Sequence, residues 1–245
     1  MNKTKIEWVK NPDGTQGYTF NPITGCLNGC KYCYARKLAN GRLKLKYLRN
    51  FEIALPHENP KVAFNDPFYP RFWPERFKDL AGIGNKAPRG IFVCDMSDLF
   101  GIGVPEKWTR HVLEAIGNQT RHRFYLLTKQ PLNLAKWSPF PDNCWVGVSI
   151  ESSKYCYDKG IGEAIEQVRA TVKYMSIEPM LGPVTGSIPP YVDWVIIGAQ
   201  TKPTILPKQE WVEEVIEAAD REGVKIFLKN NLKPLFPEGL RQEIP

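Results

Sequence analysis

Short apolar runs recur along the chain, and polar residues follow most of them. These runs are rich in β-branched and aromatic residues, so they predict buried strands. The predicted strands are residues 18–20, 91–94, 124–127, 145–150, 172–176, 194–197 and 225–228. Because the runs are nearly continuous rather than alternating, they favour a parallel sheet that is covered on both faces.

Helical spacing appears between some of these strands. Within residues 105–119, apolar side chains recur three and four positions apart, and Pro105 suits the first turn. Residues 208–222 show the same spacing, and Gly223 is suited to end that helix. Strands that alternate with helices predict an α/β fold, and we expect an open or closed βα barrel. We see no linker or internal repeat, so we expect a single domain over residues 1–245.

Polar residues stand where most of the predicted strands end. In a parallel barrel these ends meet at one rim, which is where βα barrels hold their active sites. The residues are Asp95, Ser97, Asp98, Thr128, Lys129, Ser149, Glu151, Ser176, Glu178, Gln200, Lys229 and Asn230. They either line a site or simply begin loops, since most loops are polar.

Composition narrows the class of protein. No stretch approaches the roughly 18 uninterrupted apolar residues of a membrane-spanning helix, and the first residues lack the apolar run of a secretory signal. We therefore expect a soluble, cytoplasmic protein with no membrane partner. The net charge of +7 favours an anionic partner such as nucleic acid, or it serves solubility alone. Nothing in the sequence indicates an oligomeric state.

Three of the six cysteines, Cys26, Cys30 and Cys33, fall within eight residues. A disulfide framework belongs to small secreted domains, so the C-x3-C-x2-C spacing indicates a metal-binding loop instead. Thiolates suit iron–sulfur clusters and zinc. Gly25 and Gly29 supply the turning conformations that wrapping a cluster requires. The residues that follow the loop favour a helix.

The number of cysteines separates two kinds of metal site. Electron-transfer cubane clusters usually hold all four irons by cysteine. With three ligands, one iron stays open to a cofactor or substrate, as in an open catalytic zinc position. The alternative is a zinc knuckle whose fourth ligand is distant in sequence, with His57 or Cys94 as candidates.

With Tyr32 before the last cysteine, the loop matches C-x3-C-x-aromatic-C, and the chain resembles the radical SAM superfamily. The resemblance implies a partial (βα)6 TIM-like barrel with the cluster loop after its first strand. It implies a 4Fe-4S cluster whose open iron binds the amino and carboxylate groups of S-adenosylmethionine. An external electron donor would reduce the cluster. One electron would then produce a 5′-deoxyadenosyl radical, which abstracts hydrogen from a substrate.

The chain also resembles a narrower, largely uncharacterised radical SAM branch found in phages and bacteria. The shared phrases span nearly the whole chain, at residues 4–8, 21–26, 97–100, 127–129, 147–151, 176–179 and 193–198. The sequence departs from the branch at Gly198-Ala199-Gln200, where Gly-Gly-Glu is frequent. The amide of Gln200 can still form hydrogen bonds, but an acid–base role at this position is doubtful.

The resemblance suggests cofactor contacts by position. Tyr32 would touch the adenine, and Asp95, Ser97 and Asp98 would lie near the methionine amino group. The remaining suggested contacts, to the ribose or methionine, are Ser149, Glu151, Ser176, Glu178 and, by hydrogen bonding, Gln200. The competing interpretation makes both glutamates ordinary carboxylates that pair with Lys129 or Lys229.

A long connection, residues 34–90, separates the first two predicted barrel strands. Six cations and no acid occupy its first part: Arg36, Lys37, Arg42, Lys44, Lys46 and Arg49. They form either a phosphate-binding surface or a solvated helix face. Aromatic residues follow among prolines: Phe64, Phe68, Tyr69, Phe72, Trp73 and Phe77. These rings either stack unpaired bases or pack the connection onto the protein, and we favour packing because the prolines space them irregularly.

The remaining cysteines and histidines offer no further ligand set. Cys94, Cys144 and Cys156 are most simply buried small residues, and His111 and His122 have surface or packing roles. The leading hypothesis is therefore a radical SAM enzyme, for which we favour DNA, RNA or a nucleotide as the substrate, with a peptide or small metabolite as the alternative. The rival hypothesis is a non-catalytic nucleic-acid-binding module stabilised by zinc or a cluster. The sequence does not identify the substrate, the step after radical formation, or whether S-adenosylmethionine is consumed.

Overall fold

The computed structural model describes residues 1–54, 60–154, 160–186 and 188–245. Two compact units are present. Unit 1 comprises Met1–Lys5, Val9–Thr128 and Pro141–Asn143. Unit 2 comprises Ile6–Trp8, Lys129–Phe140 and Cys144–Pro245. Within the described ranges, no helix has the length and apolar character needed to cross a membrane.

Unit 1 contains a largely parallel sheet and a small antiparallel pair. Its strands are β1 (Asn2–Lys3), β2 (Tyr18–Phe20), β3 (Ile23–Thr24), β4 (Arg71–Phe72), β5 (Gly90–Val93) and β6 (Arg123–Thr128). Strands β2, β5 and β6 pair in parallel, β1 adds to β2 in the antiparallel sense, and β3 pairs with β4. All four residues of β5 are buried, as a continuous apolar run requires.

The described residues of unit 1 form five α-helices: α1 (Tyr34–Asn40), α2 (Lys44–Leu48), α3 (Pro60–Asn65), α4 (Lys78–Ala81) and α5 (Glu106–Gly117). The predicted helix at residues 105–119 is α5, and Pro105 is its N-cap rather than part of its first turn. Trp108 of α5 stacks on Phe72, with ring centroids 5.3 Å apart. Phe72 and Phe77 also contact each other, and Phe68 and Trp73 are buried. The packing role that we favoured is therefore confirmed for Phe68, Phe72, Trp73 and Phe77, whereas Phe64 is 39% exposed.

Unit 2 is built on four parallel strands in sequence order: β7 (Cys144–Ile150), β8 (Val172–Ile177), β9 (Trp194–Ile197) and β10 (Lys225–Leu228). The helices named for the described part of this unit are α6 (Ile161–Glu166) and α7 (Gln209–Glu222). The predicted C-terminal cap of α7 is confirmed, because Gly223 has a φ of 68°, in the left-handed region. Both units are thus mixed α/β structures with mostly parallel strands.

An aromatic layer fills one face of unit 2. Trp8 packs against Trp194 and Tyr174, with ring centroids 6.0 Å away in each case. A Cβ atom at Gly147 would lie 2.4 Å from the Tyr174 ring, so the strand needs glycine at this position. Ser149 is the register partner of Ser176 on neighbouring strands, and both side chains are buried.

All seven predicted strands are present, and each end lies within one residue of the prediction. The parallel pairing within each unit is also as predicted. Closure into a partial barrel, and the single domain over residues 1–245, stay predictions. Residues 55–59 of the long connection lie outside the described residues.

Candidate functional site

The three clustered cysteines lie on the loop that joins β3 to α1. Cys26 follows β3 after one residue, and Cys33 is the N-cap of α1. All three cysteines are half-buried. Cys26 and Cys33 pack against a small core that includes Ala39, Tyr47 and Trp73. The loop is therefore supported at both ends, as a preorganised metal site requires.

Backbone hydrogen bonds fasten the start of this loop to the rest of unit 1. Gly25 N–H donates to the carbonyl of Met96 at 2.9 Å, and Cys26 N–H donates to the carbonyl of Phe68 at 3.0 Å. Gly25 also forms an isolated parallel bridge with Ser97. The loop thus runs beside the segment after β5, which carries three of the predicted site residues.

The two glycines of the loop are required for different reasons. Gly25 has a φ of 87°, and a Cβ atom there would lie 2.3 Å from the carbonyl oxygen of Tyr69. Gly29 has a φ of 72°, but a Cβ atom there would meet nothing within 4 Å. Both residues adopt the left-handed conformation that favours glycine, and only Gly25 is also confined by close packing.

Two backbone amides point at cysteine sulfur atoms. The N–H of Asn28 donates to Cys26 Sγ at 3.4 Å, and the N–H of Arg36 donates to Cys33 Sγ at 3.3 Å. Such bonds stabilise thiolate charge and tune the potential of a bound cluster. Without metal, burial and the smaller effect of the Asp98 charge raise the pKa of Cys26 to about 12. A bound metal would displace that proton, because the thiolate is the ligand.

Asp98 fastens the cysteine loop to the end of β6. Its side chain accepts hydrogen bonds from Asn28 Nδ2 at 2.9 Å and from Thr128 Oγ1 at 2.8 Å. The N–H of Phe100 donates to the same carboxylate at 3.1 Å. Asp98 is 4% exposed, so these bonds offset the cost of burying its carboxylate. Among the described contacts, its role is to position the loop.

Asp95 is the more accessible carboxylate beside the loop. Its Oδ1 accepts from Asn21 Nδ2 at 2.6 Å, and the hydroxyl of Tyr34 donates to its main-chain carbonyl at 2.6 Å. Burial raises the pKa of Asp95, against the lowering effect of the bond from Asn21 and of a second bond from the Tyr34 hydroxyl to Oδ2 at 3.2 Å. The residue before it, Cys94, has a φ of 63°, a strained conformation for a side-chain-bearing residue. Tyr32, the predicted adenine contact, is half-buried on the loop.

Arg36 joins the cysteine loop to the long connection. Its Nη2 donates to the carbonyl of Cys26 at 3.2 Å, and Nη1 lies 3.5 Å from a carboxylate oxygen of Asp66. Its guanidinium carbon lies 4.9 Å from the ring centroid of Phe68. The sequence placed Arg36 only within a basic run. No sequence pattern predicts the contacts of Arg36. The same holds for the hydrogen bonds that Asn21, Asn28 and Tyr34 donate to Asp95 and Asp98.

The two predicted site glutamates of unit 2 are paired with lysines. Glu151 Oε1 lies 2.9 Å from Lys129 Nζ. Glu178 pairs with Lys229, whose ammonium also lies 3.6 Å from a carboxylate oxygen of Glu7. Burial of Lys229 opposes its charged form, yet the two carboxylates prevail and raise its pKa. The ion pairs of the competing interpretation are confirmed, and contact of either glutamate with a cofactor stays a prediction.

The other predicted contacts in unit 2 have differing surroundings. The hydroxyl of Ser176 is buried with no hydrogen-bond partner among the described residues, whereas Ser149 is 4% exposed. The side-chain amide of Gln200 lies near its own loop, 3.4 Å from the carbonyl of Pro203. An unpartnered buried hydroxyl costs free energy, which makes Ser176 a reasonable ligand contact. All three assignments remain predictions.

The remaining cysteines behave as predicted where the structure describes them. Cys94 and Cys144 are buried, and burial raises the pKa of each thiol to about 12. Cys156 and the proposed zinc ligand His57 lie outside the described residues. In the part of the chain that is described, no three histidine, cysteine or carboxylate side chains converge on one metal-ion position. A four-iron cluster differs from such a site, because each thiolate binds a different iron.

Comparisons with known proteins identify a matching protein family and a similar solved structure. The chain matches no curated protein. It is similar to the structure of a spore photoproduct lyase mutant with bound AdoMet and dinucleoside spore photoproduct, at 14% identity and a TM-score of 0.48. That match covers 96% of this chain but only 64% of the other. The family model "Protein of unknown function (DUF5131)" matches residues 3–233, and the chain belongs to that family.

Proposed function

We propose that this chain is a radical SAM enzyme whose cluster is held by Cys26, Cys30 and Cys33. The observation that carries the proposal is a single supported loop with three thiols and amide N–H groups directed at two of the sulfur atoms. Three thiolates satisfy three irons of a cubane cluster and leave the fourth for another ligand. When bound and reduced, the cluster supplies the electron that converts S-adenosylmethionine into methionine and a 5′-deoxyadenosyl radical.

The protein's own residues position this chemistry. Asn28 links the loop to Asp98, and Gly25 fixes its start against Tyr69, so the sulfur atoms keep their places before any cofactor arrives. Asp95 is the proposed partner of the methionine ammonium group, because its side chain is less buried than that of Asp98. Tyr32 and Ser97 are proposed contacts on the same side of unit 1.

The test is anaerobic reconstitution with iron and sulfide, followed by reduction and addition of S-adenosylmethionine. We expect about four irons per chain, a broad brown absorption, and 5′-deoxyadenosine as a product detected by chromatography. Cys30→Ala should lose both the cluster and the product. Cys144→Ala, which removes a buried thiol outside the loop, should retain both.

Two outcomes would contradict the proposal. Fully loaded protein that forms no 5′-deoxyadenosine would exclude radical SAM activity. Colourless protein with one bound zinc would instead favour the non-catalytic nucleic-acid-binding module.

A further inference from the structure

Two phenylalanine rings of the long connection are exposed beside each other. Phe51 is 74% exposed and Phe64 is 39% exposed, and their ring centroids lie 6.4 Å apart at an angle of 46°. Other aromatic residues of the connection, such as Tyr47, Phe68 and Trp73, are buried. The exposed pair therefore adds little to the core of unit 1, and its faces are open to a planar apolar partner.

Exposed cations precede these rings along the chain. Arg42, Lys44, Lys46 and Arg49 all lie on the surface, on or next to α2. They form no ion pair with any residue that the structure describes. Because no acid lies among them in sequence, their charges add up to a positive field that attracts a polyanion.

A groove between α1 and α3 connects this region with the cysteine loop. Its volume is about 570 Å³, and its lining includes Arg36, Asn40, Lys61, Asn65 and Asp66. That volume falls within the usual range for small-ligand sites. Asp66 is the acidic member of the lining, and its charge is offset by Arg36 at 3.5 Å. Since Arg36 also donates to the carbonyl of Cys26, the groove adjoins the cysteine loop.

A buried arginine holds this region in shape. Arg71 is fully buried, and its guanidinium donates to main-chain carbonyls of Ala63 and Phe64 in α3 and of Asn50 beside Phe51. The segments that carry the two exposed rings are thus fixed to one guanidinium. A preorganised pair of rings loses less entropy on binding than two mobile side chains would.

We infer that this basic–aromatic surface, made of α1, α2, α3 and residues 49–51, binds a single strand of nucleic acid. Phe51 and Phe64 stack unpaired bases, and the cations of α2 bind backbone phosphates. The groove holds one nucleotide next to the cysteine loop. A duplex is excluded as the preferred ligand, because its bases are already stacked. The inference deepens the proposed function by naming its substrate class, but the binding itself requires no cluster.

Fluorescence anisotropy with a labelled oligothymidylate of about twelve nucleotides, within the site sizes of single-strand binders, tests the inference. The double variant Phe51→Ala, Phe64→Ala should weaken binding at least tenfold, since each stacked base contributes about that factor. The control is Ile102→Ala, Leu132→Ala, which removes two apolar side chains that are 52% and 69% exposed elsewhere. The control should bind like the unchanged protein.

Salt dependence tests the phosphate contacts separately. Replacing Arg42, Lys44, Lys46 and Arg49 with glutamine should reduce the slope of log affinity against log salt by about 0.7 per lost contact. Lys86→Gln, Lys233→Gln changes two exposed lysines elsewhere and should leave the slope nearly unchanged. RNA of the same length should also bind, whereas polyphosphate and duplex DNA should compete weakly.

The inference is overturned if the oligonucleotide does not bind at low salt, or if the double phenylalanine variant binds normally. It is also overturned if polyphosphate competes as well as the oligonucleotide, which would indicate a general polyanion surface. Binding is measured with and without reconstituted cluster. Strand binding without 5′-deoxyadenosine formation would reject the proposed function alone, and the reverse result would reject the surface alone.

Discussion

Both ring nitrogens of the buried His122 form hydrogen bonds with the main chain. The N–H of Arg89 donates to Nδ1 at 3.1 Å, so Nδ1 must be the unprotonated nitrogen. Nε2 lies 3.0 Å from the carbonyl of Ile83 and therefore donates to it. The ring is 1% exposed and neutral in this arrangement. Of the two roles that the sequence left open, surface or packing, the structure shows packing for His122.

This arrangement predicts acid sensitivity. Burial lowers the pKa of His122 below its ordinary value of 6.5. Its contribution to stability is therefore present above that value and is lost as the pH falls through the folded-state pKa. Urea unfolding at about pH 7.5 and about pH 5 should show an acid-side loss of stability that is smaller in His122→Gln.

The matched control is His111→Gln, which changes an exposed histidine of α5. It should keep the acid-side loss of the unchanged protein. Equal pH dependence of stability in the protein with and without His122 would contradict the assignment.

At the level of single residues, the sequence identified those candidate site residues that belong to a recognisable pattern. Three close cysteines stand out in any sequence, and Asp98 stands out at a strand end. Asn21, Asn28 and Tyr34 do not, because an isolated polar residue in a loop has no distinguishing spacing. Their contacts with Asp95 and Asp98 arise only when the chain folds.

At the scale of elements, the cysteine loop depends on its glycines. Gly25→Ala should destabilise the protein by more than about 2 kcal/mol, because a positive φ costs roughly 1–2 kcal/mol and the new Cβ atom must also displace the carbonyl of Tyr69. In Gly29→Ala, only the positive φ is unfavourable, so the free energy of unfolding should fall by about 1 kcal/mol. Thermal unfolding gives the stabilities, and iron content after reconstitution reports the loop geometry.

The two variants serve as controls for each other. We expect iron content to fall sharply in Gly25→Ala and modestly in Gly29→Ala. Equal losses in both would show that backbone conformation, rather than the close approach to Tyr69, controls the loop.

Strands with continuous apolar runs were predicted well because burial on both faces leaves a local signal. Strands β1, β3 and β4 were missed. Each has only two residues, and each is defined by its partner rather than by its own pattern. Helices α2, α3 and α4 have at most six residues, which is less than the window of about 11 residues over which helical periodicity can be recognised. The sequence therefore indicated the basic run and the aromatic cluster of the long connection but none of its elements after α1, although these elements carry the groove and the exposed rings.

At the scale of the whole molecule, the structure shows where part of the net positive charge lies. Four exposed cations of the +7 chain lie on or beside α2, near the groove that adjoins the cysteine loop. The sequence could not decide whether the basic run is a phosphate-binding surface or a solvated helix face, because that depends on the exposure of the cations and on the residues around them. Barrel closure depends on long-range pairing, which a local pattern does not encode, and it stays a prediction.

The proposed function requires that three thiolates leave one iron of a cluster open to S-adenosylmethionine. Electron paramagnetic resonance of the reduced, reconstituted protein tests it most directly, before and after addition of S-adenosylmethionine that carries a heavy nitrogen isotope in its amino group. We expect a changed cluster spectrum with a hyperfine coupling to that nitrogen, and no change with methylthioadenosine. An unchanged spectrum, or a fourth iron already bound by a protein side chain, would contradict it.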